Sequence, residues 1–158
     1  MTRELFVAHV EGTQKALRRF LVALCCGDTQ RADDLAQETF VKAYLSCDGF
    51  NSPEKFNAWI FRIAYNTFLN SQRSRRCHVA VDEAYSLEAA ECADGAFRYQ
   101  ELYAALGQLS ESERMSVLLY YMEEYSVKEI SEITGAGTDA VRQHLSRARR
   151  RLRGILAG

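Results

Sequence analysis

Apolar residues recur at three- and four-residue spacing along nearly the whole chain, the pattern of helices that each bury one face. A first helix is predicted from Arg3 to Cys26 and, after Gly27-Asp28, a second from Gln30 to Leu45. The loop SCDGFNSPE follows, in which Ser52 reads as a cap and Pro53 as the first helical position. That places a third helix over Glu54 to about Arg76, with Phe56, Trp59, Ile60, Ile63, Ala64, Thr67 and Phe68 as its inner stripe. From Cys77 to Ala96 the periodicity fades into small residues and acids, which predicts a linker. Helices resume near Phe97 with Leu102, Leu106 and Leu109 inward, and Ser110 with Glu113 has the spacing of a capping box opening a helix through Met122.

The end of the chain is the most specific part. Ser126 and Glu129 form a second capping-box pair, Ile130 and Ile133 supply a buried stripe, and Gly135 and Gly137 break the helix. From Asp139 the pattern returns, with Val141, Leu145, Ala148 and Leu152 on one face. Asp139, Gln143, Ser146, Arg147 and Arg150 fall on the other, with Arg142 and Arg149 at its edge. A short helix, a tight turn and a helix with an apolar back and a basic, amide-bearing front is the layout of a helix-turn-helix. Arginine can read guanine bidentately, glutamine can read adenine, and further arginines neutralise phosphates.

Net charge is −1, which alone argues against a general nucleic-acid coat. Its distribution changes the picture. Arg142 to Gly158 holds six arginines and no acid, and Arg73, Arg75 and Arg76 form a second basic cluster. Between them, Val79 to Ala96 carries Asp82, Glu83, Glu88, Glu91 and Asp94 without a lysine or arginine. The reading is all-α: two small helical domains, 1–76 and 97–158, joined by a flexible acidic linker over 77–96. No apolar stretch approaches a membrane span and no signal segment opens the sequence, so a cytoplasmic protein is expected. The five cysteines, Cys25, Cys26, Cys47, Cys77 and Cys92, show no repeated ligand spacing. They read as reduced structural thiols; a metal or redox site built from Cys77, His78 and Cys92 is the weaker alternative, and neither metal nor cofactor is expected.

Two faces in the first half carry candidate chemistry. On the second helix, Leu35, Ala36, Thr39, Phe40, Ala43 and Tyr44 should be core, while Asp34, Gln37, Glu38, Val41, Lys42 and Leu45 lie opposite. Such an acidic and amide stripe edged with apolar groups can dock on a basic protein helix, but on this helix alone plain solvation is the preferred reading. The third helix combines its apolar stripe with Arg62, Asn66, Asn70 and Arg73, near a loop bearing Phe50 and Asn51. Those residue types fit a single strand whose bases have left the stack.

The strings DDLAQETFVKAY, FNAWIFRIAYN and SVKEISEITGAGTDAVRQHLSRARRRL, in that order, resemble the bacterial sigma-70 superfamily, specifically the small extracytoplasmic-function (ECF) sigma factors. The resemblance implies a protein with the second and fourth sigma domains that binds RNA polymerase core and directs it to promoters. It implies that Asp34, Gln37 and Glu38 dock on the clamp helices of the largest polymerase subunit. Phe50, Asn51, Arg62, Asn66 and Asn70, with Arg73 beside them, match the stretch that opens and captures the −10 element. Arg142, Gln143, Ser146 and Arg147 match the positions that read the −35 element, with Arg150 one turn further on. An anti-sigma factor is implied as a further partner. The turn departs from the family pattern, which commonly has an isoleucine and a serine cap where this chain has Ala136 and Gly137.

Two other classes fit less well. A helix-turn-helix repressor that dimerises or senses a ligand through its first half would leave Asp34, Gln37 and Glu38 without a task. An enzyme would need a site that the sequence does not offer: the only histidines are His9, His78 and His144, with no nucleophile grouping or phosphate loop around them.

Overall fold

A computed structural model describes residues 1–79 and 96–157, with side chains placed for 1–75 and 99–157. Seven α-helices occur among the described residues, in order α1 (Arg3–Leu24), α2 (Thr29–Ser46), α3 (Phe56–Val79), α4 (Ala96–Gly107), α5 (Glu111–Tyr121), α6 (Val127–Thr134) and α7 (Thr138–Ala157). No strand occurs among the described residues.

Local chemistry sets most boundaries. Thr2 Oγ1 accepts from the Leu5 N–H and Asp28 Oδ1 from the Arg31 N–H, so both α1 and α2 begin on a side-chain cap. Both expected capping boxes are present, Ser110 with Glu113 and Ser126 with Glu129, each with reciprocal side-chain bonds. α1 stops where Gly27 takes φ +93° and returns its N–H to the Val22 carbonyl at 2.8 Å. The expected start of the third helix needs correction. Pro53–Lys55 forms a separate 3₁₀ turn, Ser52 makes no side-chain cap, and α3 begins at Phe56. Its far end runs to Val79, past the expected stop at Arg76, and most of the expected linker lies outside the described residues.

The core of the first half is Leu17, Phe20, Leu21 and Leu24 of α1 against Leu35 and Ala43 of α2 and Phe56, Ile60, Ala64 and Phe68 of α3. Ala36 and Phe40 are half-buried, and Tyr44, expected inside, is exposed. It closes the end of the α1–α2 seam instead, edge-on to Phe6 and under the Arg3 guanidinium. In the second half Leu106, Leu109, Met115, Leu119, Ile130, Ile133, Val141, Leu145 and Ala148 are buried. Leu102, expected inward, lies on the surface.

The two halves do not stand apart. α1 packs on α4 and α5, α3 packs on α6, and the buried residues form one continuous cluster. A unit of some 60–80 residues buries too little surface to be more than marginally stable alone, so this shared burial supports both halves.

The turn between α6 and α7 yields a stability test. Gly135 ends α6 at φ +81° with nothing within 4 Å of a would-be Cβ, so Gly135→Ala should cost about 1 kcal/mol through backbone strain alone. Gly137, just before α7, also faces open space, and Gly137→Ser should gain a few tenths of a kcal/mol (~0.3) as a better cap. Thermal or denaturant unfolding of the two variants should move in opposite directions.

Candidate nucleic-acid and polymerase interface

The helix-turn-helix is held from behind and stitched at its turn. Val141, Leu145 and Ala148 of α7 are buried together with Ile130 and Ile133 of α6. In the turn, Ser131 Oγ donates to the Ala136 carbonyl at 2.5 Å and Thr134 Oγ1 donates to the Ile130 carbonyl at 2.8 Å. Thr134 Oγ1 also accepts from the Ala136 N–H. These local bonds fix the turn although Ala136 and Gly137 are smaller than the residues common in the resembling family.

The front of α7 is open. Arg142, Gln143, Ser146, Arg147 and Arg150 are all exposed, and Arg142 is held by a surface ion pair with Asp139 at 3.0 Å. The other arginines face different work. Arg149 Nε donates to the Tyr121 hydroxyl at 2.6 Å, and its guanidinium lies over the rings of Tyr120 and Tyr121. Arg151 pairs at 3.2 Å with Glu113, whose carboxylate is almost wholly buried in its capping box. Arg153 Nε turns back to the Arg149 carbonyl. The run of arginines is therefore divided: Arg142, Arg147 and Arg150 are presented outward, and Arg149 and Arg151 fasten α7 to α5.

On α3, Arg62, Asn66, Asn70 and Arg73 form an exposed stripe at helical spacing. Phe50 and Asn51 flank its start. Asn51 is exposed, whereas the Phe50 ring stacks on Trp59 with centroids 4.3 Å apart and an interplanar angle of 7°. The terminal ammonium of Met1 donates to the Phe50 carbonyl at 2.9 Å. Beside the stripe lies a cleft of about 380 Å³ lined by Lys42, Leu45, Ser46, Ile63, Asn66 and Thr67, with Lys42 Nζ donating to Thr67 Oγ1 at 3.3 Å. The sequence placed Lys42 on the outward stripe of the second helix and did not single out Ser46; only the meeting of α2 and α3 brings both beside Asn66.

On α2, Asp34, Gln37 and Glu38 are exposed together on one face. Val41 and Leu45 continue that face at 58% and 75% exposure, an apolar extension that solvation alone does not account for. The preceding acid, Asp33, is engaged differently, by Arg18 Nε at 2.6 Å. A further apolar groove of about 480 Å³ opens on the second half, lined by Leu102, Leu106, Val117, Leu118, Tyr121 and Leu152, with Arg149 and Arg153 at its edge.

Residues 9–77 match the family model of sigma-70 region 2, and residues 99–152 that of sigma-70 region 4. The ECF RNA polymerase sigma factor EcfG of Rhodopseudomonas palustris is 31% identical over 144 residues, spanning 89% of this chain and 79% of its own length. The chain belongs to the ECF family of RNA polymerase sigma factors. It binds RNA polymerase core and directs promoter-specific initiation of transcription. The ECF sigma factor SigW of Bacillus subtilis is 30% identical, over 80% of this chain and 76% of its own. Among solved structures, the sigma factor RpoE of Bartonella quintana, in complex with the anti-sigma factor NepR, superposes with a TM-score of 0.84 at 28% identity over 96% of both chains. The exposed stripes on α2 and α3 thus lie in the region 2 match, and the front of α7 in the region 4 match.

No group of three or more His, Cys, Asp or Glu side chains able to hold a metal occurs among the described residues; Cys77, His78 and Cys92 lie outside the described side chains. Burial pushes the Cys25 thiol up to about 12 and raises Cys26 as well, so neither is a ready thiolate at neutral pH. For Cys25 the folded value lies above the ordinary one of 9.0, so the protonated thiol favours the fold below that pH, and the contribution fades as pH rises towards 12. Alkylation of the native sigma factor at pH 8 should therefore leave Cys25 unmodified, while labelling in denaturant should modify it; peptide mapping distinguishes the two.

Proposed function

We propose that this sigma factor divides its task among the three exposed surfaces described above. Asp34, Gln37 and Glu38 dock on the clamp helices of the largest polymerase subunit, with Val41 and Leu45 completing the contact. Phe50, Asn51, Arg62, Asn66, Asn70 and Arg73 engage the opened −10 element. Arg142, Gln143, Ser146 and Arg147 read the −35 element in the major groove, with Arg150 on its phosphates. The observation that carries this reading is the coincidence of the family-matched residues, the half-buried Phe50 apart, with exposed helix stripes backed by buried core. The division 1–76, 77–96 and 97–158 follows, with polymerase supplying all the chemistry and the sigma factor acting as a non-catalytic component in the cytoplasm. An anti-sigma factor is a further partner, and the apolar groove between α4, α5 and α7, with arginines at its edge, suits an amphipathic helix carrying acidic residues.

Reversing two charges tests the docking surface. Asp34→Lys with Glu38→Lys should abolish capture of core polymerase while helical content stays at wild type, because both side chains are exposed and reversed charge opposes docking. Wild-type capture by the folded double variant would remove the assignment.

Base reading and phosphate contact on α7 separate in a second experiment. Arg147→Ala should cost about 1–3 kcal/mol and relax the preference at one or two −35 base pairs. Arg150→Ala should weaken all sequences alike and lower the salt slope by about one unit. Binding to a panel of −35 variants at several salt concentrations gives both readouts. An unchanged ranking with Arg147→Ala would mean that α7 does not read the element through that side chain.

A further inference from the structure

The cleft beside the α3 stripe is walled by both proposed surfaces: Leu45 comes from the docking face of α2 and Asn66 from the strand-reading face of α3. Its lining holds one cation, Lys42, and no acid. The Lys42 ammonium is shared. Nζ pairs with Glu38 Oε1 at 3.3 Å, one turn earlier on α2, and donates to Thr67 Oγ1, also at 3.3 Å, across the seam on α3. These two anchors differ in kind. Thr67 is 1% exposed and its hydroxyl donates to the Ile63 carbonyl at 2.8 Å, so the oxygen is a fixed acceptor for Lys42. Glu38 stands on the surface, with 54% of its side chain exposed against 42% for Lys42, and an exposed pair at i,i+4 is weak.

What the cleft takes follows from its walls. An ammonium with three N–H groups keeps one for a ligand after serving Glu38 and Thr67. Ser46 and Asn66 add a hydroxyl and an amide, and Leu45 and Ile63 an apolar side. At about 380 Å³ the cleft has the size of a small-molecule site. Charge for an anion, with hydrogen bonds and apolar surface beside it, suits a backbone phosphate and the edge of its nucleoside. Exposed Arg62, one turn from Asn66 on the same stripe, lengthens the basic path, so a single strand laid along α3 passes the mouth of the cleft.

We propose that Lys42 is a further strand-binding residue, holding a backbone phosphate of the opened −10 strand in this cleft, and that Glu38 withholds it until polymerase docks. In the free sigma factor the Glu38 carboxylate offsets the ammonium from the solvent side. A basic polymerase helix that draws Glu38 away leaves Lys42 anchored on Thr67, its charge uncompensated and turned to the strand. One weak ion pair is exchanged for two contacts with different partners. Docking and strand capture then favour each other by the same factor. The inference rests on the docking and −10 surfaces proposed above and joins them at one side chain.

A cycle of charge-neutral variants on the full chain tests it, read by fluorescence anisotropy of a labelled single-stranded −10 oligonucleotide. Glu38→Gln should raise the affinity of the free protein for the strand about twofold, because it releases Lys42. In a Lys42→Gln background the same change should give no gain. Absence of the first gain, or its persistence without Lys42, which would mark a general effect of charge, would overturn the proposal. With core polymerase bound, Lys42→Gln should weaken strand binding severalfold and lower its salt slope by about 0.7 of a unit, the share of one single-strand phosphate. Lys42→Arg, which keeps the charge, should retain the slope. An unchanged slope in Lys42→Gln removes the phosphate contact and the proposal with it. Asn66→Ala checks the −10 surface separately. Wild-type strand binding by that variant would sink the surface assignment and the inference together. Loss of binding there, beside an unchanged Lys42→Gln slope, would sink the inference alone.

Discussion

Burying a guanidinium is expensive unless each donor finds an acceptor, and Arg114 meets that demand with the carbonyls of Leu24, Leu106 and Leu109 rather than with a carboxylate. Those carbonyls belong to the ends of α1 and α4 and to the turn before α5, so one side chain fixes three chain segments at once. Much else follows from that point. With α5 seated on α1, Tyr103 is pressed onto Gly27, Gln72 reaches Glu111, and α6 lies along α3, where Tyr125 meets Phe61. Two cores too small to be robust alone become one.

The working surfaces are arranged around that shared core and remain outside it. Each consists of polar side chains on the outer face of a helix whose inner face is buried: Asp34, Gln37 and Glu38 over Leu35 and Ala43, Arg62 and Asn66 over Ile60 and Ala64, Gln143 and Arg147 over Leu145 and Ala148. The apolar back supplies rigidity, so the front can be specified for recognition with little effect on stability. The basic helix shows the same economy within one run of sequence: Arg149 and Arg151 fasten α7 to α5 through Tyr121 and Glu113, leaving the neighbouring side chains of Arg147 and Arg150 outward.

The contacts fall into two kinds. Contacts inside each half are apolar and dense, and they define the units that recognise polymerase and promoter. Contacts between the halves are fewer and partly polar, and include a guanidinium, an amide and ring edges beside the shared apolar core.

Helix number, capping boxes, the helix-turn-helix and the three exposed stripes were legible in the sequence, because each depends on residues three or four positions apart and on caps that act locally. The same holds for the outward set on α7, whose members follow from the buried positions of Val141, Leu145 and Ala148. Local rules failed where a distant segment decided the outcome. Tyr44 and Leu102 sit in apolar register yet stay exposed, because neighbouring helices cover them only in part: Tyr44 lies at the end of the α1–α2 seam and Leu102 on the wall of the groove beside α5 and α7. Phe61 and Tyr65 lie off the α3 stripe yet are buried, because the second half covers that side of the helix. Phe50 finds Trp59, Lys42 and Ser46 come to line a cleft with Asn66, and Arg114 reaches Leu24 only through the meeting of helices far apart in the chain. Periodicity specifies which face of a helix is apolar; what packs against the remaining faces is fixed by the global minimum of burial and hydrogen bonding, and only the tertiary structure carries that information.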